Sequence, residues 1–384
     1  MRDRCAIVGV GNTAYVRGTD ATTLELHLEA SLAAIEDAGL RPSDIDAVMP
    51  HELADRTVED FIVNLGLRDL AFSSSIRHGG ASYLSSIQSA CLAVAAGVAQ
   101  CVLIPAGRRG YSEQRVSTGT TTVQPVMASI MEFERPFGNL VAAQWFAQAA
   151  QRHMYEYGTT SEHFGHVAVA CRKHANLNPL ALMYTKPMTL EDHQESRIIT
   201  SPFHLLDCSL ESDGAGAVVV TSAERARDLR RPPVSIAGFG EGHGDPPTSI
   251  TQKRDVTFVE GMHHAGQRAF AMAGLTPRDI DCAQIYDGFT WFVIAALEAF
   301  GFCARGEGGP FVTGGRIELG GELPVNTHGG LLSEAHVSGA NHVIEAVRQL
   351  RRDVEPARQV DPCETVLVTG EGNFHEGTAL ILHR

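Results

Sequence analysis

An internal repeat constrains the fold of this chain more than any single motif does. Residues 38–46 (AGLRPSDID) recur as residues 273–281 (AGLTPRDID), with seven identities in nine positions. A chain that contains the same arrangement twice is expected to fold as two similar units. The repeat therefore predicts a duplicated architecture.

The elements around the two copies are repeated as well. An apolar run that ends in glycines predicts a strand before each copy, at residues 6–11 and 235–240. Between strand and repeat, each half contains a predicted helix that begins near Thr22 in the first half and covers 261–273 in the second. The apolar face of the first helix is formed by residues at helical spacing: Leu24, Leu28, Leu32 and Ile35.

Each half continues with a glycine pair, a helix and a buried strand. The predicted segments are 79–96 and 101–107 in the first half, and 329–330, 338–350 and 366–370 in the second. We expect halves at 1–230 and 231–384, with residues 213–220 closing the first and about 111–201 forming an insertion over the active site. Strands that alternate with helices indicate parallel sheets covered by helices, in a layered α/β body with pseudo-twofold symmetry.

Composition excludes several classes of protein. The 384 residues have a formal charge of −14 and no block of lysine and arginine, which argues against a nucleic-acid scaffold. The eight cysteines form no CxxC pair, so neither a zinc site nor a disulfide framework is indicated, and a reducing cytoplasm is expected. No apolar segment is long enough for a signal-peptide core or a membrane span.

Four segments carry a resemblance to a known family. Residues 325–336 (VNTHGGLLSEAH) place His336 ten positions after Asn326. The other segments are 285–289 (IYDGF), 213–215 (DGA), and 370–372 (GEG) followed by 377–382 (GTALIL). Together with the duplication they resemble the thiolase superfamily, in which a catalytic histidine has this spacing from an Asn-x-x-Gly-Gly segment. The resemblance implies a duplicated thiolase fold with αβαβα layers.

The two cysteines of thiolase chemistry are missing. The position that aligns with the nucleophile is Gly80, and the C-terminal Cys-x-Gly is replaced by residues 370–372 (GEG). Cys91 lies about 16 Å further along the predicted helix, where a packing role is expected. Without a thiol, an acyl-enzyme cannot form by the usual route.

In residues 286–289 (YDGF) and 332–335 (LSEA), the chain closely resembles the cysteine-free, SCP2-thiolase-like lipid-transfer proteins, some of which are aldolases of steroid side-chain degradation. The resemblance implies retro-aldol cleavage of a β-hydroxyacyl-CoA, with Tyr286 and His336 as a base and acid pair whose assignment is open. Alternatively, Tyr286 packs on the core and His336 makes a structural hydrogen bond. Asn326, Gly330, Gly370 and Gly372 are expected at the substrate, and further candidates are Glu371, His375 and Ser82.

The resemblance also implies partners. A homodimer and a small partner with an OB-fold and a zinc ribbon are expected, with no bound cofactor and with coenzyme A as part of the substrate. Two other functions stay open: a non-catalytic acyl-CoA-binding or scaffolding subunit, and a thiolase or condensing acyltransferase with an unusual nucleophile such as Ser82.

Two further signals are weighed against this interpretation. Residues 9–14 fit a dinucleotide fingerprint, but the next helix begins too late for nicotinamide binding. Histidines cluster at 263–264 and at 336 and 342, yet no carboxylate–histidine spacing is typical of a metal site, so no metal is predicted.

Overall fold

The computed structural model describes residues 1–51, 57–113, 130–244, 253–372 and 376–384. The helices are α1 Thr23–Asp37, α2 Val58–Leu65, α3 Ser82–Ala95, α4 Ala142–Tyr157, α5 Ser161–Ala175, α6 Leu190–Glu195, α7 Ala223–Ala226, α8 Glu260–Ala273, α9 Thr290–Ala299, α10 Gly308–Phe311, α11 Gly330–Ser333 and α12 Ala340–Arg351. The strands are β1 Cys5–Asn12, β2 Ala47–Val48, β3 Phe72–Ser73, β4 Cys101–Arg109, β5 Ile198–Thr200, β6 Phe203–His204, β7 Asp213–Ser222, β8 Val234–His243, β9 Cys282–Gln284, β10 Thr365–Gly372 and β11 Glu376–His383.

Nine of the described strands form one sheet in the order β3-β2-β4-β7-β1-β8-β11-β10-β9. The order is symmetric about the contact of β1 with β8, because β7 and β11, β4 and β10, and β2 and β9 occupy equivalent places. The strands β2 and β9, which are the outermost of these equivalent strands, each form a parallel pair: β2 with β4, and β9 with β10. The symmetric strand order is the one expected of a duplicated fold.

The prediction of parallel sheets was wrong for the central strands. The central pairs β4–β7, β7–β1, β1–β8, β8–β11 and β11–β10 are antiparallel. Only residues 373–375 separate β10 from β11 in the chain, and a connection this short can join antiparallel strands only.

Helices lie on both sides of each half of the sheet. α1 packs against β1, β4 and β7, and α8 packs against β8 and β11. Between the halves, α3 and α12 contact strands of both and bury one shared apolar core. This arrangement gives the expected αβαβα layers. The division of the chain at residues 230 and 231 falls between α7 and β8, and as a domain boundary it stays a prediction.

The sequence repeat has a structural cause in both halves. Asp44 accepts a hydrogen bond from the Arg41 backbone N–H (2.8 Å), and Asp279 accepts the equivalent one from Thr276 (2.7 Å). The last aspartate of each copy then binds the start of the next long strand, with Asp46 accepting from Cys101 N (2.8 Å) and Asp281 from Thr365 N (2.9 Å). The identical positions therefore form the same helix-to-strand turn twice.

The glycines of the dinucleotide-like segment serve helix packing. A Cβ on Gly9 would lie 2.1 Å from the carbonyl oxygen of Ala34 in α1. In the second half, a Cβ on Gly240 would lie 2.1 Å from the carbonyl oxygen of Ala265 in α8. Glycine is required because each helix backbone approaches its strand this closely, so these glycines do not form a phosphate-binding turn.

The predicted apolar face of α1 was partly wrong. Leu32 is 48% exposed, whereas Leu26, Ala30 and Ala34 are buried. The alanines lie against β1, because the helix backbone packs directly on the glycines of this strand and leaves no space for larger side chains. The predicted start of α1 is confirmed: Thr22 caps it by accepting from Glu25 N at 3.2 Å.

The segment predicted as an insertion contributes α4, α5, α6 and β5, and β5 pairs with β6 directly after it. Trp145 and Phe146 of α4 and Phe164 of α5 are buried in one apolar cluster with Trp291 and Phe292 of α9. The segment from the first half thus packs on the helix that follows β9. None of the described helices is long and apolar enough to cross a bilayer.

Candidate active site

Tyr286 and His336 meet in the interior of the molecule. Tyr286 Oη lies 3.2 Å from His336 Nε2, within hydrogen-bond distance. Both residues are mostly buried, with exposed fractions of 8% and 7%. The structure therefore brings together the two residues selected from motifs 50 positions apart in the chain.

The backbone at Tyr286 is held from two sides. Its N–H donates to Thr369 Oγ1 of β10 at 3.2 Å. The preceding residue, Ile285, is bracketed by the buried Asn326 side chain, which accepts from Ile285 N (2.7 Å) and donates to Ile285 O (2.8 Å). Both the oxygen and the nitrogen of the Asn326 side-chain amide bind the backbone of Ile285, so Asn326 helps to position the next residue, Tyr286.

His336 is oriented by two serines that the sequence analysis did not select. Its Nδ1 lies 3.1 Å from Ser209 Oγ, and its backbone N–H donates to Ser212 Oγ at 2.8 Å. Burial holds the pKa of His336 well below its ordinary value of 6.5, so the imidazole is neutral near pH 7. A neutral ring whose Nδ1 faces Ser209 can accept the hydroxyl proton of Tyr286 at Nε2.

The ring of Tyr286 occupies the space that a side chain at residue 80 would need. A Cβ on Gly80 would lie 2.3 Å from Cζ of Tyr286, 2.6 Å from its Cε1 and 2.4 Å from the backbone oxygen of Glu371. Real Cβ atoms do not approach this closely, so only glycine fits here. A side chain at residue 80 and the ring of Tyr286 therefore cannot occupy their places at the same time, so the absence of the thiol and the presence of the tyrosine are linked.

A second buried group, Asp287, fixes the neighbouring loop. Its carboxylate accepts from Leu331 N (2.8 Å) and Leu332 N (3.2 Å) and lies 3.1 Å from His342 Nε2. A Cβ on Gly330 would lie 1.9 Å from Asp287 Oδ2, so Gly330 supplies the room for this carboxylate. The sequence motif at 285–289 includes Asp287, but the role of Asp287 depends on tertiary contacts that the spacing of residues in the sequence does not show.

Gly370 and Gly372 of β10 allow the loop before α3 to lie on the strand. A Cβ on Gly370 would lie 2.9 Å from the Gly80 oxygen, and one on Gly372 would lie 1.8 Å from the His78 oxygen. Side chains alternate along a strand, so that of Glu371 points to the opposite face of the sheet. It does not occupy the place of the second thiolase cysteine, which aligns with Gly370.

The Ser82 hydroxyl closes the turn that precedes α3. Ser82 is fully buried, its hydroxyl donates to Gly79 O (2.7 Å), and it accepts from the His78 backbone N–H (2.7 Å). Both hydrogen-bonding functions are therefore used within residues 78–82. The remaining candidate, His375, lies outside the described residues.

Comparison with known proteins agrees with this geometry. Residues 242–384 match the family model "Thiolase C-terminal domain-like". The chain is 44% identical to the steroid side-chain-cleaving aldolase of Thermomonospora curvata over 90% of each chain. It is 42% identical to the 17-hydroxy-3-oxo-4-pregnene-20-carboxyl-CoA lyase of Mycobacterium tuberculosis over 96% of each. This chain belongs to the thiolase superfamily, in its group of steroid side-chain aldolases.

A solved structure of the same group has the same fold. The Ltp2-ChsH2(DUF35) aldolase superposes with a TM-score of 0.93 at 42% identity, over 100% of this chain and 98% of the solved chain. The predicted family and the predicted thiolase-type fold are both confirmed. Within the superfamily, this aldolase-group site contains a tyrosine in contact with the glycine that aligns with the thiol nucleophile.

Both carboxyl oxygens of Glu371 are buried without a hydrogen-bond partner. Burial, and to a smaller extent the nearby Glu376, raises the pKa of Glu371 well above its ordinary value of 4.5. The folded protein therefore keeps a proton here at pH values where the unfolded chain has lost it. The carboxyl's contribution to stability is full below pH 4.5 and is lost as the pH rises toward the folded pKa.

Replacing Glu371 by glutamine is expected to flatten this pH dependence. The unfolding free energy of the unmodified protein should lose about 1.4 kcal/mol per pH unit from this group between its two pKa values. The glutamine variant lacks that loss, so it should gain relative stability at alkaline pH. Urea unfolding across the pH range tests this, with the exposed Glu364→Gln as control. Parallel curves for Glu371→Gln and the unmodified protein would contradict it.

Proposed function

We propose that this chain is a carbon–carbon lyase that cleaves a steroid β-hydroxyacyl-CoA by a retro-aldol reaction. The products are a ketone and a shortened acyl-CoA. The observation that carries the proposal is the Tyr286 Oη–His336 Nε2 pair at 3.2 Å, located beside the thiol-free Gly80. The pair can move a proton, and residue 80 carries no thiol that could hold an acyl group.

The reaction begins at the β-hydroxyl of the substrate. Tyr286 Oη takes the hydroxyl proton as it passes its own proton to His336 Nε2. The Cα–Cβ bond breaks, the β-carbon becomes a ketone, and the electron pair moves to the thioester as an enolate. The imidazolium then returns the proton through Tyr286 to Cα, which completes the acyl-CoA product and restores both residues.

The environment of His336 favours this direction of proton transfer. Because burial lowers its pKa, the ring enters the reaction neutral and able to accept. Ser209, 3.1 Å from Nδ1, keeps Nε2 directed at Tyr286. General acid–base catalysis of this kind contributes about 10²–10⁴-fold in rate.

The names of the relatives support the substrate class. A hydroxyl on carbon 17 is β to a thioester carbonyl carried by carbon 20, as in the name of the mycobacterial lyase. Cleavage of the bond between carbon 17 and carbon 20 leaves a ketone on the steroid ring, which matches the chemistry derived for this site. Coenzyme A therefore enters as part of the substrate, and the retro-aldol lyase predicted from the sequence agrees with both relatives' names.

The other site residues have supporting roles in this proposal. Asn326 and Asp287 position the backbone on either side of Tyr286 through the bonds described above. Gly330, Gly370 and Gly372 supply space for that positioning, so substrate contact at these glycines would come through the backbone. Glu371 and Ser82 carry no role in proton transfer here.

We also propose a homodimer that binds a small OB-fold and zinc-ribbon partner. The solved aldolase with 42% identity includes a second component in its name, ChsH2(DUF35), which supports a partner complex. A cytoplasmic location, expected from the scattered reduced cysteines, stays a prediction of the same kind.

Product analysis tests the proposed function. The protein is incubated, with and without the proposed partner, with the CoA thioester of a steroid that carries a β-hydroxyl. Mass spectrometry should detect the ring ketone and the shortened acyl-CoA in equal amounts, and no new thioester when free CoA is added. Absence of both products under the two conditions would instead favour a non-catalytic acyl-CoA-binding subunit.

A further inference from the structure

Two histidines and a glutamate converge beside the loop that leads into α3. His78 Nδ1 lies 3.6 Å from Glu241 Oε1, and His243 Nε2 lies 3.0 Å from the same oxygen. One ligand atom from each of the three residues lies within 4.8 Å of the other two. Two ligands of a tetrahedral zinc ion are about 3.3–3.5 Å apart, so side chains with these separations can hold a metal ion after small adjustments.

A second, buried carboxylate lies on the strand beside the cluster. Glu376 of β11 is the direct partner of His243 in the antiparallel ladder, so their side chains lie on the same face. Glu376 is 7% exposed, and its Oε2 has no hydrogen-bond partner. The same oxygen lies 3.2 Å from where a Cβ on Gly372 would be, beside the His78 carbonyl. A buried carboxylate oxygen without a partner needs a proton or a cation.

The remaining contacts prepare Glu241 to bind a cation. Ser85 Oγ of α3 donates to Glu241 Oε2 at 2.7 Å, which leaves Oε1 directed between the two histidines. Such hydrogen bonds from a second residue orient metal-binding carboxylates. The side chains of His78, Glu241 and His243 are 28%, 23% and 47% exposed, so an ion can reach them from solvent.

We propose that His78, Glu241 and His243 bind a divalent transition-metal ion of the zinc type. Two imidazole nitrogens and one carboxylate suit Zn²⁺ and Co²⁺. The sequence analysis expected no metal, because no carboxylate–histidine spacing is typical of a metal site, and His78 lies 163 positions before Glu241 in the chain. The ion would fix His78, which directly precedes Gly79 and Gly80, and so hold the loop on which the Tyr286 ring rests.

Cobalt titration of the full-length chain tests the proposal without any substrate, so its outcome is independent of the lyase proposal. The protein is treated with a chelator, dialysed and titrated with Co²⁺, followed by Zn²⁺ competition. We expect visible d–d bands that saturate at one ion per chain and disappear on zinc addition. Replacing His78 or His243 by alanine should abolish the bands, and Ser85→Ala should weaken binding by about tenfold.

His264→Ala is the matched control, because His264 is exposed and lies near Gly242 on the opposite face of β8. This variant should retain the cobalt bands, and circular dichroism checks that every variant is folded. Absence of cobalt bands in the unmodified protein, or bands that are unchanged in both the His78 and His243 variants, would overturn the proposal.

Discussion

Replacing Tyr286 by phenylalanine is expected to lower kcat by about 10²–10⁴-fold, which is the usual contribution of a general acid–base group. The change removes only Oη and its contact with His336 Nε2 at 3.2 Å. The ring stays in place against Gly80, so the packing around it is preserved. Steady-state kinetics on the steroid β-hydroxyacyl-CoA, with the product analysis described above, measures the effect.

Tyr83→Phe is the control for this substitution. Tyr83 is also buried, and its hydroxyl donates to Ile104 O at 3.0 Å, so the same atom and one hydrogen bond are lost. We expect Tyr83→Phe to cost about 0.5–1.5 kcal/mol of stability and to leave kcat nearly unchanged. An equal fall in kcat for both variants, or none for Tyr286→Phe, would mean that Tyr286 only packs on the core.

Restoring a cysteine at residue 80 is expected to destabilise the protein by about 1–3 kcal/mol and to abolish turnover. The new Cβ would lie 2.3 Å from Tyr286 Cζ and 2.4 Å from the Glu371 backbone oxygen, so one of them must move. Moving the ring separates Tyr286 from His336. Urea unfolding and kinetics measure the two losses, and no thiolase activity should appear.

A double-mutant cycle identifies the cause of this loss. Gly80→Ala introduces the same Cβ without a thiol and should destabilise to a similar extent. In a Tyr286→Ala background the ring is gone, so the cost of Gly80→Ala should fall, with a coupling energy of about 0.5–3 kcal/mol. Part of the cost should remain because the Glu371 oxygen is still close. Strict additivity of the two substitutions would show that the ring and residue 80 do not compete for space.

Local sequence patterns predicted the elements best where the signal lay within one turn or one strand. The repeated segments formed the same turn twice because each aspartate binds a backbone N–H three residues away or at the start of the following strand. The face of α1 was predicted less well, since Leu32 at helical spacing is exposed. Which face is buried depends on Gly9 and Gly11 of a different element, and helical spacing within α1 does not contain that information.

The sequence by itself determined the family and the duplication, and it predicted the pair Tyr286 and His336, because each depends on residue identity at fixed local spacing. Only the tertiary structure decided that the Tyr286 ring fills the space above Gly80, that Asn326 positions the backbone of Ile285, and that Ser209 orients His336. The cluster of His78, Glu241 and His243 likewise exists only where β8 passes the start of α3. Such contacts join residues far apart in the chain, and their distances follow from how the layers pack.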